Sequence, residues 1–285
     1  MKTIKSILRV FKYIFLSLLL ALLIRLFLCN FYRVPSDSMA PTVTTGDFIM
    51  AGKLKYGARI FTSLRFGKHE DPRIKRVPGL GKIHRNDLTI FNFPYRDTWD
   101  TIRMNLNTIF VKRCIGLPGD SLSAAGGFYH VSGLPDTLGY RPGQRQLVQW
   151  RSTLDSVIIR AVAFDKSFDW DVFDFGPFYI PAAGRTITLT PENFKLYHKQ
   201  MVYETKQLVL LKDSSVYIND TLAPEYTFRT NWYFMAGDNV MNSQDSRYIG
   251  LIPEAYIIGR VSMIVSSKDL YTGKRRWKRT MKRIK

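Results

Sequence analysis

The sequence predicts a mainly β body tethered by one N-terminal transmembrane helix. Three observations carry this class. A long apolar run lies near the start, β-branched and aromatic segments alternate after it, and basic residues concentrate at the two ends of the chain.

The run from Tyr13 to Tyr32, YIFLSLLLALLIRLFLCNFY, is nearly all apolar. About 20 residues at a rise of about 1.5 Å match one hydrocarbon thickness. Lys2, Lys5, Arg9 and Lys12 precede it and only Arg33 follows closely, which places the N-terminus in the cytoplasm and the rest of the chain outside. Arg25 sits toward the exit side, where its long stem can snorkel to the interface. A cleaved signal peptide shares the basic start. The run, however, exceeds an h-region of about 7 to 15 residues, Arg25 interrupts it, and no A-x-A-like site follows. Residues 1–32 are therefore read as a basic start and an anchor.

The net charge of +19 would suggest nucleic acid were it spread over a working domain. Residues 1–33 and 274–285 together carry 14 of those positive charges, leaving +5 for the rest. That pattern excludes nucleic acid as the natural partner and points to a lipid bilayer. The ending KRRWKRTMKRIK, within a tail taken as 268–285, reads as solvated or disordered, with attraction to anionic lipids as its functional alternative. Cys29 and Cys114 are too few and too far apart for a disulfide framework.

Strand signals separated by Gly, Pro and Asn/Asp turns recur at 87–93, 108–116, 156–164, 186–190, 207–213, 215–220 and 256–265. Helical periodicity outside the anchor is best at 192–204, and the stretch from Gly67 to Gly81 reads as a surface loop.

Just past the anchor stands Val34-Pro-Ser-Asp-Ser-Met-Ala-Pro-Thr42, followed by Gly46-Asp-Phe-Ile. Pro35 and Pro41 stiffen the flanks and hold the serines in extended chain. A nucleophilic serine needs a base, commonly histidine. His69, His84, His130 and His198 occupy no recognisable catalytic setting, although a Ser-His-Asp triad assembles only in the fold and stays open. A lysine kept neutral by burial is the other option. Strand alternation in TIFVKRCIG sets Phe110, Lys112 and Cys114 on one face and Val111 and Arg113 on the other. Most strand lysines snorkel to solvent, so neither motif identifies a chemistry alone. The acidic stretch DNVMNSQDS fails as a calcium loop, because Ser243 and Ile249 stand where Gly and Glu are needed. No Cys/His spacing suggests zinc, so neither metal nor cofactor is expected.

Taken together, PSDSMAPT with GDFI, Arg85-Asn-Asp-Leu-Thr-Ile-Phe, VKRCIGLPGD and Gly237-Asp-Asn with NSQDSRYIGLIPE resemble, in order, the bacterial type I signal peptidase family. The resemblance implies an antiparallel β-sheet catalytic domain over 33–120 and 231–267 with a large β-rich insertion at 121–230. It implies Ser38 as nucleophile, Lys112 as its base, and Ser36 with the backbone N–H of Ser38 as oxyanion hole. Ser243 would orient the lysine amine, with Asp245 and Arg247 as a supporting charge pair. Val34, Met39 and Phe110 are candidates for the substrate pocket. The substrates implied are secretory preproteins cut after small residues at A-x-A sites, delivered by translocation machinery, at the bacterial inner membrane. Val240 and Met241 replace the family's usual Arg and Asp, and Asn86 stands where Gly is usual, in a turn that Asn tolerates. The replacements keep an inactive, membrane-bound binding protein of the same fold as the alternative. A soluble self-cleaving repressor is opposed by the anchor, and an unrelated membrane-tethered β protein leaves the motifs unexplained.

Overall fold

The computed structural model describes residues 2–63, 70–135, 138–153, 160–161 and 163–284. Helix α1 (Lys2–Leu23) continues through a wider π turn over Ile24–Leu28. Ser6–Leu28, 23 residues, has none of its apolar stretch buried in the body and is long and apolar enough to cross a bilayer. At its end Lys53 Nζ donates to the carbonyls of Arg25 at 2.6 Å and Leu26 at 3.2 Å, satisfying acceptors that a helix C-terminus leaves bare. The apolar run is thus divided. Its last residues belong to β1 (Cys29–Arg33), which pairs with β2 (Asp47–Gly52). Hydropathy alone does not separate a lipid-facing turn from the first strand of a sheet.

The chain continues through β3 (Arg59–Phe61), β4 (Ile74–Arg76), β5 (Leu88–Phe93) and β6 (Asn105–Gly116). Next come β7 (Ser121–Ala125), β8 (Phe128–Val131), helix α2 (Arg141–Gln149), β9 (Phe175–Tyr179) and β10 (Thr186–Thr188). Helix α3 (Pro191–Thr205) leads to β11 (Val209–Lys212), β12 (Ser215–Ile218), β13 (Thr221–Leu222) and β14 (Glu225–Thr227). The last elements are β15 (Trp232–Ala236), helix α4 (Ser246–Ile249), β16 (Ile252–Pro253), β17 (Ile257–Ser267) and β18 (Lys282–Arg283). One large sheet runs β1-β2-β17-β5-β6-β15-β16, with β18 on β17, and its pairings are antiparallel. The strands between β6 and β15 form three small sheets of their own. The fold is mainly antiparallel β with a single N-terminal apolar helix.

The expected strands form within a few residues of their predicted places, and 192–204 is α3. Of the segment 156–164, residues 156–159 and 162 lie outside the described residues, and Arg160 makes a lone bridge with Asp171. Within 67–81, residues up to 69 are likewise outside, but β4 pairs with β3, so this stretch is partly a hairpin rather than a loop. Helix α2 escaped the sequence reading because Pro142 and Gly143 occupy its first turn, where proline is tolerated.

Packing redraws the insertion. Tyr129, Phe175 and Phe178 meet Phe234 of β15 with ring centroids 6.2, 5.7 and 6.2 Å away, and one core runs from Phe91 through Leu122 and Phe178 to Ile257. The first part of 121–230 is therefore built onto the large sheet. A separate core, including Tyr197, Met201, Val216 and Phe228, serves only the later part. Nor is the C-terminal segment free. β18 joins β17, and Ile284 packs on the core beneath β2. The basic composition had suggested a solvated tail, but its arginines are drawn in by a buried acid, described below. Phe234→Ala should cost about 3 to 5 kcal/mol and lower the melting temperature by roughly 10 °C, read by calorimetry in detergent; a shift below 2 °C would show that the two parts do not share a core.

Candidate active site

The loop between β1 and β2 carries Ser38. Val34, Met39 and Val43 are buried beneath it and anchor it to the core, while Val43 N donates to Met39 O at 3.0 Å and Thr45 N to Asp37 Oδ1 at 2.8 Å. Apolar anchors below and turn hydrogen bonds within leave Ser38 half-buried. Ser36 is exposed, its Oγ 3.5 Å from Ser38 Oγ.

Lys112 approaches from β6, opposite Thr89 of β5. Its side chain is buried, 3% exposed, and its Nζ donates to Ser38 Oγ at 2.6 Å. The Phe110 ring centroid lies 5.2 Å from the same nitrogen. Burial removes the amine from water and pulls its pKa down to about 8, although Asp245 and Asp238 work in the opposite direction. A cleft of about 570 Å³ opens over the pair, lined by Val34, Ser36, Met39, Phe110 and the strand from Asn107 to Lys112. Among the described residues no histidine lines it.

Three further groups lock the pair in place. Arg113, next to Lys112, donates to Asp238 from Nε at 2.7 Å and from Nη2 at 2.6 Å, and to Asn86 O at 2.7 Å. Asp238 also accepts from Thr42 Oγ1 at 2.5 Å, and Asn239 N donates to Ser38 O at 3.1 Å. One buried carboxylate thus joins the serine loop to the lysine strand. Asn86 takes a φ of +67° in the turn before β5, the left-handed region that Asn reaches more readily than most residues. Asp245 and Arg247 are both fully buried. Arg247 donates from Nε and Nη2 to the two carboxylate oxygens at 2.8 Å each, and from Nη2 to Val240 O at 2.8 Å. Burial alone would raise the Asp245 pKa, but the Arg247 charge and hydrogen bonds leave it lowered. Ser243 is buried and makes no hydrogen bond to Lys112; among the described residues its Oγ has no partner. A Cβ at Gly237 would collide with that hydroxyl and with the Ser38 carbonyl. Only glycine admits both.

The family profile described as "Signal peptidase, peptidase S26" matches residues 7–146 and 183–266. This chain belongs to the signal peptidase family, peptidase S26. It is 27% identical over 268 residues to a signal peptidase I of Buchnera aphidicola subsp. Baizongia pistaciae, covering 91% of this chain and 77% of that one. It is 24% identical over 257 residues to the Aquifex aeolicus signal peptidase I, covering 89% and 82%. A crystal structure of a signal peptidase I from Enterococcus faecalis aligns with 64% of this chain and 98% of that chain, at 18% identity and a TM-score of 0.30.

The positions that depart from the family's usual Arg-Asp have a structural reason. Val240 is buried with Leu147, Val172 and Phe173, and Met241 packs against them. Helix α2 comes so close that a Cβ on Gly143 would strike Asp238 O. Here apolar packing against the insertion holds the loop that leads to Ser243.

The sequence reading missed two elements. The Arg113–Asp238 pair spans 125 residues, and its one local signal was an arginine beside the candidate lysine. The C-terminal clamp gave none beyond its charge. Buried Asp47 receives Arg279 Nη2 at 2.6 Å and Ser267 Oγ at 2.6 Å, while Arg279 also donates to Pro41 O and Thr42 O at 3.1 Å each. Arg279 therefore grips the serine loop from the far side.

Three outcomes are expected. Because the folded-state pKa of Lys112, about 8, lies below that of a free lysine, its neutral form grows as pH rises through that value. The acid limb of kcat/KM should therefore climb tenfold per pH unit and level off near pH 8; a limb centred near 6.5 would point to histidine. The same shift makes the folded state bind fewer protons, so this group's contribution to stability improves between about pH 8 and 10. Val240→Arg, which restores the usual family residue, should destabilise by about 3 to 5 kcal/mol, because it buries a cation in an apolar cluster; chemical unfolding measures it, and an unchanged midpoint would refute the packing account.

Proposed function

We propose that this signal peptidase is a Ser-Lys endopeptidase that cuts signal peptides from secretory preproteins after small residues at A-x-A sites. The observation that carries the reading is a buried amine 2.6 Å from a loop hydroxyl. With the amine neutral, Lys112 takes the proton of Ser38 as its Oγ attacks the scissile carbonyl. The tetrahedral oxyanion is held by the Ser38 N–H and the Ser36 hydroxyl. Lys112 then returns the proton to the departing amine, and water, deprotonated by the same amine, hydrolyses the ester. Ser243 has a buried hydroxyl free to accept from the ammonium formed in these steps. Asp245 and Arg247 keep its loop in shape.

The substrate binds as an added strand. β15 pairs with β6 only from Arg113 onward, so the stretch from Asn107 to Val111 faces the cleft opposite Val34–Ser36 with an open edge. Main-chain hydrogen bonds there are indifferent to sequence. Val34, Met39 and Phe110 restrict the P1 and P3 side chains to small ones.

The anchor holds the body at the outer face of the bacterial inner membrane, with the N-terminus in the cytoplasm. Ser38 then meets cleavage sites as they leave the translocation machinery, and confinement to one surface substitutes for tight binding. Ser38→Ala and Lys112→Ala should abolish cleavage of a preprotein with an A-x-A site by the full-length chain in lipid, while Ser36→Ala should lower kcat about 10²- to 10³-fold. Mass spectrometry gives the cut position; cleavage surviving Ser38→Ala would reject the assignment.

A further inference from the structure

A second cavity, of about 300 Å³, lies where the anchor meets the body. Apolar Leu22 and Leu26 of the span and Leu106 of β6 line it together with the cations Arg25, Lys53 and Arg59, and among the described residues no Asp or Glu does.

The cations there are held without counter-charge. Lys53 is only 8% exposed and bonds two main-chain carbonyls. Arg59 donates to the carbonyls of Ala255 at 3.0 Å and Tyr256 at 3.2 Å, and to Asn92 Oδ1 at 2.9 Å. Neutral acceptors satisfy donors but do not cancel charge. Burial, then the Arg59 charge, draws the Lys53 pKa down to about 8, and burial, then Arg76, draws Arg59 down to about 10. Arg25 on the span adds a third, exposed cation.

We propose that this cavity binds the phosphate headgroup of an anionic phospholipid, with an acyl chain lying along Leu22 and Leu26. The proposal rests on α1 being a membrane span. Two features select a lipid over a soluble anion. The cavity sits at the end of the span, at the depth of the headgroups, and Leu22 and Leu26 in its lining belong to that span. This cavity also shares a wall with the cleft over Ser38, since Tyr32 and Ile109 line both. A lipid seated here fixes the height of the cleft above the bilayer.

The test is native mass spectrometry of the full-length chain in detergent, titrated with phosphatidylglycerol or phosphatidylcholine. Phosphatidylglycerol should bind at least tenfold more tightly. Arg25→Gln and Arg59→Gln should each weaken it about fivefold, in line with the attraction of one basic residue at a lipid surface, while Lys82→Gln, exposed and outside the cavity, should not. Arg25 is exposed on the helix, so its variant reports the charge alone, with circular dichroism confirming the fold. Equal binding of the two lipids, or wild-type affinity in both Arg variants, overturns the proposal. Displacement of phosphatidylglycerol by inorganic phosphate overturns the lipid as source. Carbonate extraction of membranes tests the span separately, because a chain released by it has no anchor.

Discussion

The site depends on keeping one amine out of water. A lysine in solution holds its proton at neutral pH and is no base; the sheet, the serine loop and the Phe110 ring leave Lys112 3% exposed and bring its pKa down to about 8, the condition that the proposed base requires. The neighbouring carboxylates oppose this, as Asp245 and Asp238 both favour the charged form. Each is already committed to an arginine, Asp238 to Arg113 and Asp245 to Arg247. Arg247 therefore does more than hold its loop: its charge lowers the Lys112 pKa against the pull of the two carboxylates.

The same pairs solve a problem of assembly. Ser38 and Lys112 are 74 residues apart, on a loop and a strand that do not pair. Asp238 reaches both, through Thr42 on one side and Arg113 on the other, and the C-terminal segment closes the far side through Arg279 and Asp47. Buried ion pairs are weak evidence for net stability, because their desolvation is costly. Removing one partner nevertheless costs about 3 to 5 kcal/mol. Their contribution here is a single arrangement of the loop.

The insertion participates in this arrangement. Val240 and Met241 occupy a cluster shared with Leu147 and Phe173, and Gly143 lets α2 press against the Asp238 backbone. What reads in sequence as a lost charge pair is a different solution to the same task. An aliphatic contact steadies the loop beside the buried Arg247, which donates to Val240 O.

Much of the site was legible because its chemistry is local. The serine between Pro35 and Pro41 and the lysine in an alternating strand stand out only as candidates, which the family resemblance of four ordered motifs joins, and the β class follows from alternation along each strand. Apolar length likewise announced the anchor, but not that the sheet begins at Cys29, since both environments favour the same residues. Partnerships were not legible. Arg113 with Asp238, Arg279 with Asp47, and Val240 with α2 join residues distant in sequence, and a basic tail looks alike whether it is solvated or drawn in by one buried aspartate. The sequence by itself determined which residues could do the chemistry, because side-chain type and strand period are local properties. Only the tertiary structure decided that Lys112 is dry and within reach of Ser38, because burial and distance belong to the packed whole.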